Sequence, residues 1–138
     1  MWSGAAVDHH GEHFDVTIDG FAPPVQRPRV PVWTAATHGA SKPIARAAHW
    51  DGMICAAQYG LDVEPDDLRE MVRGVEQIRG STTGFDVIRF GQTAGAADIA
   101  TVSACAEAGA TWWMEYTFPK ITTLEATRER LHAGPPRI

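Results

Sequence analysis

The sequence has little cysteine and no long hydrophobic run. Cys55 and Cys105 are its two cysteines among 138 residues, and they form neither a CxxC motif nor a disulfide framework. We interpret both as small buried side chains of a protein in a reducing compartment. The first residues lack the basic region of a signal peptide, and no segment approaches the ~20 apolar residues of a membrane helix. We therefore expect a cytoplasmic protein without a membrane partner.

Positive charge is also scarce. The 17 acidic residues outnumber the 12 lysines and arginines, which gives a formal net charge of −5, and the basic residues are scattered along the chain. Binding to a nucleic-acid backbone needs clustered lysine and arginine. Nucleic acid is therefore not expected as a partner.

Strand-like and helical segments alternate along residues 30–138, after an extended or hairpin segment over residues 1–29. Short apolar runs predict strands, and periodic apolar positions between capping residues predict helices. The predicted strands cover 32–35, 52–57, 85–91 and 111–117, and the predicted helices cover 41–50, 64–79, 97–108 and 122–132. Connections of this length require parallel crossovers, so the pattern predicts an α/β fold of four parallel βα units.

Local signals predict helix starts and strand faces. Ser41 is a predicted N-cap, and the spacing of Thr122 and Glu125 predicts a capping box at the last helix. Alternation in the last strand predicts that Trp112 and Trp113 lie on opposite faces.

The loop Ala35–Gly39 is the first candidate site. Its small residues connect a strand to a helix, where backbone N–H groups and the helix dipole can hold a phosphate. The alternative is an ordinary βα turn. His38 in this loop is either a general acid or base or a plain loop histidine.

The segment DHHGEH (8–13) invites a metal hypothesis, because it offers three histidines and a glutamate. Its spacing matches no zinc motif. We therefore interpret it as a solvated hairpin and predict no metal site.

Four βα units can form half of a (β/α)8 barrel or a small doubly wound sheet. Four segments favour the barrel: WSGAAVDHHGEHF (2–14), PPVQRPRVPVW (23–33), RAAHWDGMICA (46–56), and AGATWWMEYTFP (108–119) with RERLHAGPPR (128–137). In this order they resemble the bacterial luciferase-like flavin- or deazaflavin-dependent oxidoreductases. The resemblance extends over nearly the whole chain.

The resemblance implies that this chain corresponds to strands five to eight, the C-terminal half of a (β/α)8 TIM barrel. The N-terminal half, which supplies much of the flavin and substrate pocket in that family, is missing from it. A truncated chain is therefore expected, from a pseudogene remnant, a split gene or a mis-called start, and we expect it to be inactive alone.

The implied chemistry is monooxygenation or hydride transfer on a small organic substrate, with FMN or coenzyme F420 as the cofactor. No catalytic residue is assigned, because the flavin carries the reactive chemistry in such enzymes. By the resemblance, the cofactor-binding residues are Ala35, Ala36, Thr37, His38, Gly39, Ile54 and Cys55.

Two alternatives remain open at this point. One is a noncatalytic half-barrel that assembles with itself, as a homo-oligomer, or with a separately encoded N-terminal half, because a half-barrel exposes two strand edges. The other is a small α/β binding module unrelated to flavin, which would be a closed monomer.

Overall fold

A computed structural model describes residues 3–60, 62–117 and 122–138. The chain divides into two compact units, an N-terminal unit (Met1–Pro31) and an α/β unit (Val32–Ile138). Within the described residues, every helix is too short or too polar to cross a lipid bilayer.

The N-terminal unit contains one antiparallel hairpin. Its strands are β1 (Val7–His10) and β2 (Asp15–Ile18). The turn is closed by a hydrogen bond from the Gly11 N–H to the Phe14 carbonyl oxygen, at 2.8 Å. Of the two alternatives for this segment, an extended stretch or a hairpin, residues 7–18 form a hairpin.

The α/β unit alternates strands with helices, as predicted. Its elements are β3 (Trp33–Thr37), α1 (Ser41–Ala47), β4 (Gly52–Ala56), α2 (Pro65–Arg79), β5 (Asp86–Gly91), α3 (Ile99–Glu107), β6 (Trp112–Glu115) and α4 (Leu124–Ala133). The four strands form one parallel sheet in the order β3-β4-β5-β6. The prediction of an α/β fold with four parallel strands is therefore confirmed.

Helix α2 illustrates how the core forms. Pro65 occupies its first turn and Gly80 ends it in a left-handed conformation, with φ of 78°, as these residue types favour. The apolar side chains on one face of α2 are completely buried: Leu68, Met71 and Val75. They join a single core with strand residues such as Met53 and Val87.

Side-chain alternation gives the sheet two different faces. The helix face packs into the core through residues such as Ala36, Cys55 and Val87. The opposite face, which we call the open face, carries Trp33, Ala35, Thr37, Ile54, Ala56, Asp86, Ile88, Phe90, Trp112 and Met114. Trp112 lies on the open face and Trp113 packs against the core, so their predicted separation is confirmed.

Two predicted caps are wrong. Helix α1 has Ala40, not Ser41, as its N-cap and no side-chain capping hydrogen bond. Helix α4 is capped by Thr123, whose hydroxyl accepts from the Ala126 N–H at 3.2 Å. The helix therefore begins one residue later than a capping box at Thr122 would require.

Candidate functional site

The carboxyl ends of the four parallel strands meet at one edge of the sheet, where open α/β sheets bind ligands. The predicted phosphate loop, residues 35–39, lies at this edge. However, the His38 N–H donates to the Ala56 carbonyl at 2.8 Å, which continues the pairing of β3 with β4. Alternation along the strand points the Ala36 N–H to β4 as well and the Thr37 N–H away from it. Fewer loop amides are therefore free for a ligand than the sequence predicted.

The backbone conformation at position 39 favours glycine. Its φ is +78°, and a Cβ atom built there would meet no heavy atom within 4 Å. A side chain at this position would be strained by the backbone, although there is room for it. The loop therefore turns sharply, and the space beside Gly39 is open.

The structure divides the other predicted binding residues between the two faces. Ile54 lies on the open face beside Ala35, its register partner. Cys55 lies opposite Ala36 on the helix face and is completely buried. Burial raises the pKa of the Cys55 thiol to about 12, although the Arg89 guanidinium opposes this. Ala35 and Ile54 can thus contact a ligand on the open face, whereas the thiol of Cys55 faces the core.

His38 also points toward the helices. Its Nε2 lies 2.9 Å from Glu70 Oε2, and its Nδ1 lies 3.5 Å from Asp67 Oδ2. Both carboxylates belong to α2. The imidazole thus connects the β3–α1 loop to α2, and its predicted acid–base role stays a prediction.

The sequence did not reveal a layer of tryptophans at the amino end of the open face. The indole N–H groups of Trp33 and Trp112 donate to the two oxygens of Asp86, at 3.0 and 3.1 Å. Their rings lie 5.6 Å apart. Gly52 makes this approach feasible, because a Cβ atom there would lie 2.6 Å from Trp33 Cδ1. We call these four residues the Trp–Asp–Trp layer.

Beyond this layer, the open face is apolar up to the carboxyl edge. Ile54 and Phe90 are half-buried, and Met114 is 40% exposed. Phe90 stacks on Tyr116 with ring centroids 6.1 Å apart. Ile88, the register partner of Ile54, is completely buried, so this face is filled at its amino end and around Ile88, and it is partly accessible at its carboxyl end.

A second cluster, also missed by the sequence analysis, lies at the end of β6 on the helix face. Glu115 accepts hydrogen bonds from the Thr93 N–H (2.8 Å) and hydroxyl (2.9 Å), from the Trp113 indole (2.8 Å) and from Arg130 Nε (3.3 Å). Burial raises the pKa of Glu115, but these hydrogen bonds outweigh burial and hold it below its ordinary value. The carboxylate therefore connects the β5–α3 loop, β6 and α4.

A cavity of about 180 Å³ adjoins this cluster. It lies between the end of β6 and α4, and its lining is mostly apolar. The lining residues are Glu115, Thr117, Thr127, Arg130, Leu131, Gly134 and Pro135.

The histidine-rich segment forms part of the β1–β2 hairpin. His10 contacts Asp15 at 2.7 Å and Asp8 at 3.1 Å. Among the described residues, no three histidine, cysteine, aspartate or glutamate side chains are placed together to hold a metal ion.

Comparisons with known proteins add no family to this picture. No protein-family model and no curated protein matches the chain. The resemblance to luciferase-like oxidoreductases therefore stays an expectation from the sequence segments given above.

Proposed function

We propose that the α/β unit is the C-terminal half of a luciferase-like (β/α)8 barrel and forms one wall of a pocket for FMN or coenzyme F420. The observation that carries this proposal is that helices α1, α2 and α3 pack on one face of a sheet whose strands follow in chain order. A doubly wound sheet has helices on both faces and a reversal of strand order. A barrel has neither feature.

The open face fits a planar, largely apolar ring at its carboxyl end. Ala35 is small and exposed, and Ile54 beside it is half-buried, so a ring can approach the sheet closely there. The Trp–Asp–Trp layer fills the amino end, which leaves entry from the carboxyl edge. Thr37 and the open space beside Gly39 lie where a phosphate would follow the ring. When bound, such a cofactor supplies the redox chemistry, and these residues bind and orient it.

The open face alone does not enclose a cofactor. Parallel sheets are normally covered on both faces, yet Trp112 is 50% exposed on the open face. We therefore expect this chain to lack oxidoreductase activity alone and to need a further wall.

A titration with cofactor tests this proposal. FMN, and separately F420, is added to the protein while cofactor fluorescence and tryptophan emission are recorded. We expect both signals to fall, because Trp33 and Trp112 lie on the face that receives the ring. Ile54→Glu places a charge on this face and should weaken binding roughly tenfold or more, which corresponds to about 1.4 kcal/mol.

Ile78→Glu is the matched control, because Ile78 lies on α2 and is already 47% exposed. It should leave cofactor binding unchanged. Unchanged fluorescence of both cofactors with the wild-type chain would contradict the proposal. Equal weakening by both variants would contradict the assignment of the open face.

A noncatalytic half-barrel that assembles with another half is the second candidate, and the exposed apolar side chains of β6 favour it. The β3 edge opposes pairing, because Arg46 Nη2 donates to the Ala35 carbonyl at 3.1 Å and a pairing strand must displace it. Sedimentation velocity over a concentration series tests this function. Assembly should strengthen in Arg46→Ala, whereas a monomer at all concentrations in both proteins would favour the unrelated α/β module.

A further inference from the structure

Helix α4 differs from the other long helix of the unit in how little it buries. Only Thr127 and Arg130 of its ten residues are even partly buried, and Leu124 and Leu131 are 69% and 73% exposed. Helices shorter than about 12–15 residues are marginal in water, and most helices in proteins are stabilised by packing an apolar face. Helix α4 has no such packed face, so its position must depend on other contacts.

Those contacts converge on one side chain. Arg130 donates through Nε to Glu115 at 3.3 Å, through Nη2 to the Thr93 hydroxyl at 2.8 Å, and through Nη1 to the Gly134 carbonyl. The hydroxyls of Thr123 and Thr127 form hydrogen bonds within the helix or its cap. Among the hydrogen bonds of the described residues, those to Glu115 and Thr93 are the ones that join α4 to the sheet and to the β5–α3 loop.

The space beneath α4 supports the same conclusion. The cavity of about 180 Å³ between α4 and the end of β6 is open to solvent, so the helix does not pack closely on the strand there. Separation of α4 from the sheet therefore breaks few packing contacts.

We propose that α4 is a latch, held by Arg130 on Glu115 and Thr93, that leaves the sheet as a unit while the rest of the α/β unit stays folded. Its release removes one of the partners of the Thr93 hydroxyl and loosens the β5–α3 loop at the carboxyl edge. A docked latch therefore orders the rim of the proposed cofactor wall. This last step depends on the proposed function, whereas the release of α4 does not.

Native-state hydrogen exchange of the full chain, without cofactor, tests the latch. In the wild type, the amides of α4 should exchange at least roughly a hundredfold faster than the core amides of α2, because local opening needs far less free energy than global unfolding. Arg130→Met should speed α4 exchange a further roughly tenfold or more, as expected for loss of a hydrogen-bonded charge. The protection of α2 should not change.

Arg128→Met is the matched control, because Arg128 is an exposed residue of the same helix and the substitution removes the same charge. It should leave α4 exchange near the wild-type rate. Glu115→Gln is the second variant and should speed exchange of both α4 and the Thr93 amide.

Three results would overturn the latch. The first is α4 protection equal to that of α2 in the wild type. The second is an equal loss of protection in both helices of Arg130→Met, since α4 would then belong to the global folding unit. The third is equal exchange in Arg128→Met and Arg130→Met. Because cofactor is absent, none of these results bears on the proposed cofactor wall.

Discussion

A methyl group at position 52 tests whether the Trp–Asp–Trp layer stabilises the sheet. A Cβ atom at Gly52 would lie 2.6 Å from Trp33 Cδ1 and 2.7 Å from the Asp86 backbone oxygen. The indole can rotate away, but the Asp86 carbonyl belongs to β5 and moves only if the strand moves. Overpacking costs about 1–3 kcal/mol, and the Trp33–Asp86 hydrogen bond contributes about 1 kcal/mol more. We therefore expect Gly52→Ala to lower the free energy of unfolding by roughly 2–4 kcal/mol.

Equilibrium urea unfolding, followed by circular dichroism and tryptophan emission, measures this loss. Gly74→Ala is the control, because it adds the same methyl group inside α2, where the nearest atom is Ile44 Cγ2 at 3.2 Å. Alanine is favoured over glycine in a helix by up to about 1 kcal/mol, so this variant should be neutral or slightly stabilised. Unfolding of Gly52→Ala at the wild-type urea concentration, with unchanged native emission, would show that the layer does not stabilise the sheet.

Three further predictions concern the N-cap of α4, the buried thiol of Cys55 and the dependence of stability on acid pH. Thr123→Ala should cost about 1 kcal/mol of helix stability and speed exchange of the Ala126 amide, whereas Thr122→Ala should not. Cys55 should resist a thiol reagent at neutral pH until the protein is denatured, because it is fully buried with a pKa of about 12. The lowered pKa of Glu115 contributes stability above its ordinary value of 4.5, which is lost as the pH falls through the folded-state pKa. Glu115→Gln removes this titrating group, so its free energy of unfolding should depend less steeply on pH below 4.5 than that of the wild type, as measured by urea unfolding at a series of acid pH values.

Elements whose signals are local were predicted well. Helix α2 was predicted over residues 64–79 and covers Pro65–Arg79, because its apolar periodicity and both end signals lie within it. Helix α1 was predicted to reach residue 50 but ends at Ala47. Arg79 donates to the carbonyls of Ala48 and Trp50, at 2.8 and 3.1 Å. Arg79 lies about thirty positions from the turn that it stabilises. A local sequence pattern therefore cannot predict this contact.

The polar clusters were missed for the same reason. Thr93 and Arg130 reach Glu115 from 22 and 15 positions away, and Asp86 meets a tryptophan from each outer strand of the sheet. None of these residues belongs to a short motif. They meet because parallel strands place positions of equal height side by side, which becomes known only with the register.

The strand register also explains why neighbouring residues of β3 and β4 have different roles. Along β3 and β4, Ala35 and Ile54 point to the open face, whereas Ala36 and Cys55 point to the core. By the resemblance, all four were expected to bind the cofactor. A strand has a period of two, so half of any such run is committed to packing against helices. If a cofactor binds this wall, substitutions at Ala35 and Ile54 must change its affinity, whereas those at Ala36 and Cys55 must act through stability.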